Sequence, residues 1–422
     1  MIAATVLGII LVPGLYALFQ TIREKVTALR RRFLGVGVAS GVSMVLALCV
    51  LSGCKAVGPD YRAPEMAASS AVLPQTVADG VAIAPEEAAA WWGVFNDPRL
   101  TALVERALSG NRTMRAALAR VREARARLGV SRAGLLPEVD VAGAYTRYRN
   151  SDNAGAPGQG DHYRAGFDAA WEIDFFGRRR RAVEAAQSSF EAECATLEHA
   201  WVSLAAETAR VYVELQTVRR CLQVAQDNLE LQSQTLDLVK SHFDSGLGNE
   251  LAVEQARYNL ERTRATIPAL KRDEVSALNA LAVLTGTMPG EMPGETVAAA
   301  PIPSAAPRVL IGIPAEFLRR RPDVRAAERR LAAQTARIGE ARADLYPTFR
   351  LAGSVGLESL EGSDFFKYDS RFFGITPQVV WPLFRAGSIR AGIEVQNALQ
   401  EQALAAYEQT VLESVGELRD AL

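Results

Sequence analysis

Residues 178–243 form the stretch that decides the fold: RRRRAVEAAQSSFEAECATLEHAWVSLAAETARVYVELQTVRRCLQVAQDNLELQSQTLDLVKSHF. Stepping alternately by four and three residues from Phe190 leads through sixteen positions to Phe243, and only Thr208 and Gln232 among them are polar. A 3.5-residue repeat sustained over this length predicts a left-handed coiled coil rather than a helix of a compact core. At 1.5 Å per residue, this helix is about 100 Å long.

The segment after this helix predicts a chain reversal and a returning helix. Gly246 and Gly248 follow the heptad pattern directly, and Asn249 suits the N-cap of a helix over 250–285. We expect Pro268 to kink or divide the returning helix, because proline lacks an N–H and clashes with the preceding turn. The two helices together predict a very long antiparallel hairpin.

Two segments before the long helix alternate with the period of two that defines a β-strand. Over 162–176 the odd positions are apolar and most even positions are polar, and a loop rich in Gly, Asn and Asp separates this segment from 138–149. The pattern predicts a hairpin with one apolar and one polar face. Strands of about 11–14 residues suit a membrane-spanning sheet better than a soluble sandwich, although the period alone fits both.

The second half of the chain repeats the plan of the first. Repeat 1 covers 98–285 and begins with a helix after Asp97; repeat 2 covers 321–422. After a linker at 286–320, repeat 2 has the same elements in the same order: a helix, strands at 348–358 and 372–384, and a long helix from 388. Matching Phe384 with Phe176 gives an offset of about 208 residues.

By this offset, a second reversal and return helix are expected beyond Leu422. The sequence is therefore interpreted as C-terminally truncated, with a naturally shortened paralogue as the alternative. In either case we expect the chain as given not to assemble a closed tunnel.

The first 53 residues are interpreted as a leader with two apolar blocks. Residues 33–53 have a basic flank, an apolar run and small residues before Cys54, as in a secretion signal. LSGC at 51–54 resembles the bacterial lipobox, in which the cysteine becomes an acylated N-terminus held by several acyl chains. Residues 1–32 resemble the C-terminal end of a resistance-nodulation-division pump, which indicates a reading frame begun too far upstream; one unusual leader is the alternative. Residues 54–97 predict an Ala- and Pro-rich strap over the surface.

Composition and motifs argue against several functional classes. A net charge of −1 over 422 residues offers no basic patch for nucleic acid. Cys194 and Cys221 lie on the same predicted helix about 40 Å apart, too far for a disulfide within one chain. The three histidines are scattered, and no hydrolase, zinc-protease or P-loop motif is present. We therefore predict no enzyme activity, no cofactor and no catalytic or metal site.

Several motifs together resemble those of TolC/OprM-type outer-membrane efflux lipoproteins, the outer-membrane factors of resistance-nodulation-division tripartite systems. The resemblance runs from Cys54 to the end of the chain. It rests on VGPDY at 57–61, WWGVFNDPRL at 91–100, WEIDFFGR at 171–178, the stretch IGIPAEFLRRRPDVRAAERRLAAQTARIGEARADLYP at 311–347, and WPLFRAGSIRA at 381–391.

The resemblance implies a membrane α+β fold with two structural repeats. Helical hairpins would form a periplasmic α-barrel, and each subunit of a homotrimer would give four strands to a shared 12-stranded β-barrel. Independently, four strands cannot close on themselves, and an open edge in lipid leaves backbone groups unsatisfied. The implied partners are a periplasmic adaptor protein and an inner-membrane pump, and the implied location is the outer membrane, with a lipid anchor and an extension into the periplasm.

Roles for individual residues follow from the same resemblance. Cys54 would carry the acyl chains, and Trp171 and Trp381 would lie in the aromatic belt. The pore would be lined by even-numbered strand residues: Arg164, Asp168, Glu172 and Asp174. The adaptor would dock at the hairpin tip: Gly246, Leu247, Glu250, Leu251 and Val253. The acidic gate of the family would lie beyond Leu422.

Two alternative functions remain open at this point. One is a conduit for type I protein secretion, against which the lipobox and the pump-like leader argue. The other is a non-conducting periplasmic coiled-coil lipoprotein, which would have no use for strands with a lipid-compatible face.

Overall fold

The computed structural model describes residues 56–64, 90–151, 153, 158–292, 294, 297–304 and 315–421. The predicted lipidation site Cys54, both leader segments and most of the strap lie outside the described residues. The described helices, in chain order, are α1 (Pro98–Gly110), α2 (Arg112–Ala133), α3 (Arg178–Asp244), α4 (Glu250–Thr285), α5 (Ala315–Arg320), α6 (Pro322–Ala343) and α7 (Ser388–Ala421). The strands are β1 (Glu138–Arg149), β2 (Gln159–Ile173), β3 (Thr348–Ser359) and β4 (Arg371–Val380).

The long hairpin is formed by α3 and α4, and it confirms the coiled-coil prediction. Buried side chains cluster at two levels along it. Near the sheet-distal tip, Leu236 packs with Val253 and Leu260. Farther along, Tyr212 and Leu215 of α3 are fully buried with Leu281 of α4 and with the apolar face of α1. The hairpin is therefore a two-helix rod that widens into a multi-helix core.

Helix α4 runs through Pro268, so of the two expected outcomes division of the helix is wrong, and a kink at Pro268 stays a prediction. Pro268 is exposed, and solvent can bond to the carbonyl that loses its N–H partner. The predicted helix ends are correct, because each end is capped. Asn249 Oδ1 accepts from the Ala252 N–H at 2.9 Å, and Gly286 ends the helix with φ at 76°.

The core of the wide region is fixed by a partly buried hydrogen bond as well as by apolar packing. Asp97 caps α1, since its Oδ1 accepts from the N–H of Arg99 at 2.8 Å. Its other carboxylate oxygen accepts from the Tyr212 hydroxyl at 2.7 Å. This bond ties the start of α1 to the middle of α3.

The four strands form one antiparallel sheet in the order β1-β2-β3-β4. The pairing of β2 with β3 joins the two repeats, since Asp168 lies opposite Ser354. Among the described residues, the outer edges of β1 and β4 have no strand partner.

Two strands differ in extent from the predictions. β2 begins and ends three residues earlier than predicted, because Asp174 leaves the ladder to bond to α3 and Phe176 stacks on Tyr346 with ring centroids 4.8 Å apart. β4 ends at Val380, four residues before the predicted end, because Pro382 has no N–H to donate and the aromatic run continues past the ladder.

Within the described part of the chain, no helix has the length and apolar character needed to cross a membrane.

Candidate functional site

The register of the sheet places polar side chains on one face. Asp140 lies opposite Asp168, and Arg164 lies opposite Glu358. Arg164 pairs with Asp168 on its own strand at 3.5 Å, and its guanidinium lies 4.7 Å from the Phe372 ring centre. The predicted pore residues Arg164 and Asp168 thus lie on the same face of the sheet.

The opposite face of the sheet is apolar and open. Large side chains there are strongly exposed in the protomer, with Phe373 at 84% and Val141 at 77%. Pairings across the four strands keep these residues together, for example Val141 with Phe167 and Val355 with Phe373. A face of this kind requires an apolar environment.

Two of the predicted pore residues, Glu172 and Asp174, lie at the junction between β2 and α3. Glu172 is 10% exposed, and its carboxylate oxygens accept from Arg178 at 3.4 Å and Arg179 at 2.8 Å. Asp174 is 12% exposed and accepts from the backbone N–H of Arg179 and Arg180 at 3.1 and 2.9 Å. The sequence signal for this arrangement was the four consecutive arginines after the two acids.

The two predicted belt tryptophans make equivalent hydrogen bonds in the two repeats. The Trp171 indole N–H donates to the Leu135 carbonyl at 3.0 Å, and that of Trp381 donates to the Leu345 carbonyl at 3.1 Å. In both cases the acceptor precedes a strand of the same repeat. The bond therefore fixes the distance between the end of one strand and the start of another.

The predicted hairpin tip is a tight reversal with an apolar surface. Gly246 has φ at 76°, and the Leu247 N–H donates to the His242 carbonyl at 2.9 Å. Leu247 is 79% exposed and Leu251 is 64% exposed. Val253, by contrast, is buried against Leu236, so it supports the tip instead of presenting a surface.

Arg181 holds the N-terminal segment 56–64 in place, and the sequence interpretation missed it. Its guanidinium, 4% exposed, bonds to the Asp60 carboxylate at 2.6 Å and the Val57 carbonyl at 3.2 Å. Burial opposes its charge, but hydrogen bonds to Asp60 and Glu184 raise the pKa of Arg181. Gly58 lies so close to Gly339 of α6 that a Cβ would collide with its Cα.

The described residues contain no cluster of three or more His, Cys, Asp or Glu placed to hold a metal ion. Cys194 and Cys221 are free thiols on α3.

A two-faced sheet joined to a long helical hairpin defines the class of outer-membrane channel subunits with a periplasmic helical extension. The chain belongs to the family described as Outer membrane efflux protein, which matches residues 103–287 and 313–422. The family is one of channel and transport proteins, and the soluble-sandwich alternative for the strands is therefore wrong.

Known relatives agree with this assignment. The probable efflux pump outer membrane protein SepC of Pseudomonas putida is 31% identical over 388 residues, covering 88% of this chain and 79% of SepC. The cation efflux system protein CusC of Escherichia coli is 30% identical over 387 residues, covering 90% and 82%. The solved structure of the outer-membrane channel OprN has a TM-score of 0.79 at 36% identity, covering 86% of this chain and 81% of OprN. This protein is thus an outer-membrane channel component of an efflux system.

Proposed function

We propose that three copies of the full-length subunit close a shared barrel in the outer membrane and stand their hairpins together in the periplasm. The observation that carries this proposal is the sheet with two open edges, one apolar face and one polar face. Edges that are open within one subunit must be paired by other subunits, because lipid offers no hydrogen bonds. The apolar face then meets lipid and the polar face lines water.

In this assembly Arg164 and Asp168 line the pore. Glu172 and Asp174 instead hold the arginines at the start of α3. Trp171 and Trp381 lie where strands meet helices, which is the level of an aromatic belt at the periplasmic surface. Cys54 is close in sequence to the segment 56–64, which Arg181 holds in place. Acyl chains on Cys54 anchor the N-terminus in the membrane leaflet at the periplasmic surface.

The hairpin tip docks a periplasmic adaptor, which connects the channel to an inner-membrane pump. Leu247 and Leu251 supply an exposed apolar contact at the point farthest from the sheet. Because relatives carry names as different as toluene and cation efflux proteins, we assign the choice of cargo to the pump and no catalytic step to the channel. Relatives named as efflux proteins favour this function over protein secretion.

Conductance of the full-length subunit, measured with single-cysteine variants, tests the pore. In a background with Cys194 and Cys221 replaced by serine, Asp168→Cys should react with a charged, membrane-impermeant thiol reagent and lose conductance in up to three steps. Phe167→Cys is the matched control, since the neighbouring side chain lies on the apolar face. A protein that inserts but passes no ions, or equal block at both positions, would refute the proposal.

Docking is tested separately at the tip. Leu247→Asp should abolish crosslinking to the adaptor in cells and leave the trimer intact. Tyr258→Asp, an exposed position on α4 beyond the tip, should leave crosslinking unchanged. Equal loss in both variants would contradict a specific contact at the tip.

A further inference from the structure

The first junction between strand and helix shows how this chain neutralises a group of arginines. At the start of α3, the Asp174 carboxylate accepts from two backbone N–H groups, and the Glu172 carboxylate receives the Arg178 and Arg179 guanidiniums. Two internal carboxylates thus occupy a site made of a helix N-terminus and arginine side chains. Both kinds of donor bind oxyanions strongly.

The second junction has the same backbone path without those carboxylates. Trp381 and Gly387 stand 210 positions after Trp171 and Gly177, and the two glycines have φ values of 83° and 82°. At this spacing, Pro382 takes the place of Glu172 and Phe384 takes the place of Asp174. Neither side chain can accept a hydrogen bond from the first turn of α7.

A cavity of about 450 Å³ lies at this second junction, beside the start of α7. Its polar lining is Arg178, Arg350, Arg385, Asp344, Tyr346 and Thr348. The single acid, Asp344, already forms an ion pair with Arg178, its Oδ1 lying 3.1 Å from the arginine Nε.

Arg350 and Arg385 have no ion pair within 4 Å among the residues that the structure describes. Arg350 lies opposite Glu172 in the sheet register, but both oxygens of that carboxylate are held by Arg178 and Arg179. The cavity therefore carries an excess of positive charge that the first junction does not have.

We propose that this cavity binds an oxyanion, the phosphate or carboxylate group of a diffusible solute. Arg350 and Arg385 would donate hydrogen bonds to it from two sides. The backbone N–H groups at the start of α7 would also attract it, as those at the start of α3 attract the Asp174 carboxylate. A guanidinium presents paired donors to two oxygens of such a group, which a lone ammonium cannot do. Arg350 belongs to the polar face of the sheet, so a solute in the pore would reach the cavity directly.

The proposal goes beyond the conduit function, and its test does not depend on conduction. Inorganic phosphate is titrated into purified protein in detergent at constant ionic strength set with chloride, and phosphorus NMR line broadening reports binding. The wild-type protein should show saturable binding, and Arg385→Gln should weaken it about tenfold or more through loss of charged hydrogen bonds. Arg390→Gln is the matched control, because Arg390 is a nearby exposed arginine in the first turn of α7 and lies outside the cavity lining.

If Arg385→Gln does not fold, Arg385→Lys serves in its place, and it should bind phosphate more weakly than wild type because it keeps the charge but not the paired donors. Absence of binding to the wild-type protein would overturn the proposal, as would equal weakening by Arg385→Gln and Arg390→Gln. Glu138 is the first residue of β1, at the edge that a second copy would place beside the cavity. If phosphate bound only to the Glu138→Gln variant, this carboxylate from a second copy would fill the wild-type cavity, and the proposal would be overturned.

Discussion

The junction between β2 and α3 and the junction between β4 and α7 follow one backbone path but differ in what surrounds it. In both, a glycine with φ near 80° turns the chain into the helix, and a tryptophan indole bonds to a distant leucine carbonyl. Among the described residues, the N-terminal segment and a pair of acids contact the first junction and not the second. A few shared residues are therefore enough to repeat the backbone path of the junction. The stability of each junction depends instead on side chains that the two repeats do not share.

The largest difference is expected from replacing the two glycines. Gly177→Ala places a Cβ at a positive φ and about 2.6 Å from the Ala56 Cα, whereas Gly387→Ala meets nothing within 4 Å. We expect a loss of about 2–4 kcal/mol at Gly177 and about 1 kcal/mol at Gly387. Thermal denaturation followed by circular dichroism measures both, and equal losses would show that the N-terminal segment does not press on the first junction.

Removing the acid that caps α3 should have the next largest effect. Asp174→Ala loses two bonds to backbone N–H groups and an ion pair with Arg180, for about 2 kcal/mol in all. The equivalent Phe384→Ala removes a side chain that is 87% exposed and should cost less than about 1 kcal/mol in detergent. The same thermal denaturation experiment measures both losses of stability. A larger loss for Phe384→Ala than for Asp174→Ala would contradict the prediction.

The two tryptophans should respond equally. Trp171→Phe and Trp381→Phe each remove one indole hydrogen bond, worth about 1 kcal/mol. Because the two bonds lie in different repeats, the double variant should lose the sum of the single losses. A double variant that loses no more stability than either single variant would mean that the two junctions unfold together.

The smallest effect is a pH dependence at the start of α6 that the start of α2 does not share. α2 is capped by the neutral Asn111, whereas at the start of α6 Asp323 accepts from the Val324 N–H at 2.9 Å and from Arg321 at 2.7 Å. Burial would raise the pKa of Asp323, but the hydrogen bond and charge of Arg321 outweigh it and hold the pKa below its usual range. The stabilisation by the Asp323 carboxylate is therefore fully present above the ordinary aspartate pKa. It is lost as the pH falls through the lowered pKa of Asp323.

Hydrogen exchange measures this difference. As pH is lowered, amides in the first turn of α6 should lose protection relative to those of α2, after correction for intrinsic exchange, by less than about 1 kcal/mol. Asp323→Asn should remove the pH dependence. Parallel loss in both helices would assign the effect to the whole fold.

Local signals were sufficient to predict the helices from the sequence. Asn249 and the glycine after Thr285 mark both ends of α4, and the heptad pattern fixes α3, because caps and periodicity act within a few residues. The alternation of the strands likewise predicted both faces of the sheet. The strand ends were predicted less well, since Phe175 and Phe384 continue the aromatic pattern where the backbone has already left the ladder.

The contacts at the site depended on groups far apart in sequence. Arg181 bonds to Asp60 across 121 residues, which no local pattern could reveal. The alternation of the strand predicted that Asp174 would line the pore. In the structure its carboxylate instead accepts a hydrogen bond from the N-terminus of α3. The repeat offset of about 208 came from matching phenylalanines, whereas the glycines and tryptophans that set the backbone path give 210.

The pairing of β2 with β3 also sets an order of assembly. His162 bonds to Glu358 across 196 residues, whereas β1 and β2 are joined by a short loop. The first hairpin can therefore form long before its partner strand has been synthesised, and closing so long a loop slows the later step. In that interval the apolar face of the first hairpin and the unpaired edge of β2 are exposed, and both favour aggregation until β3 pairs with β2.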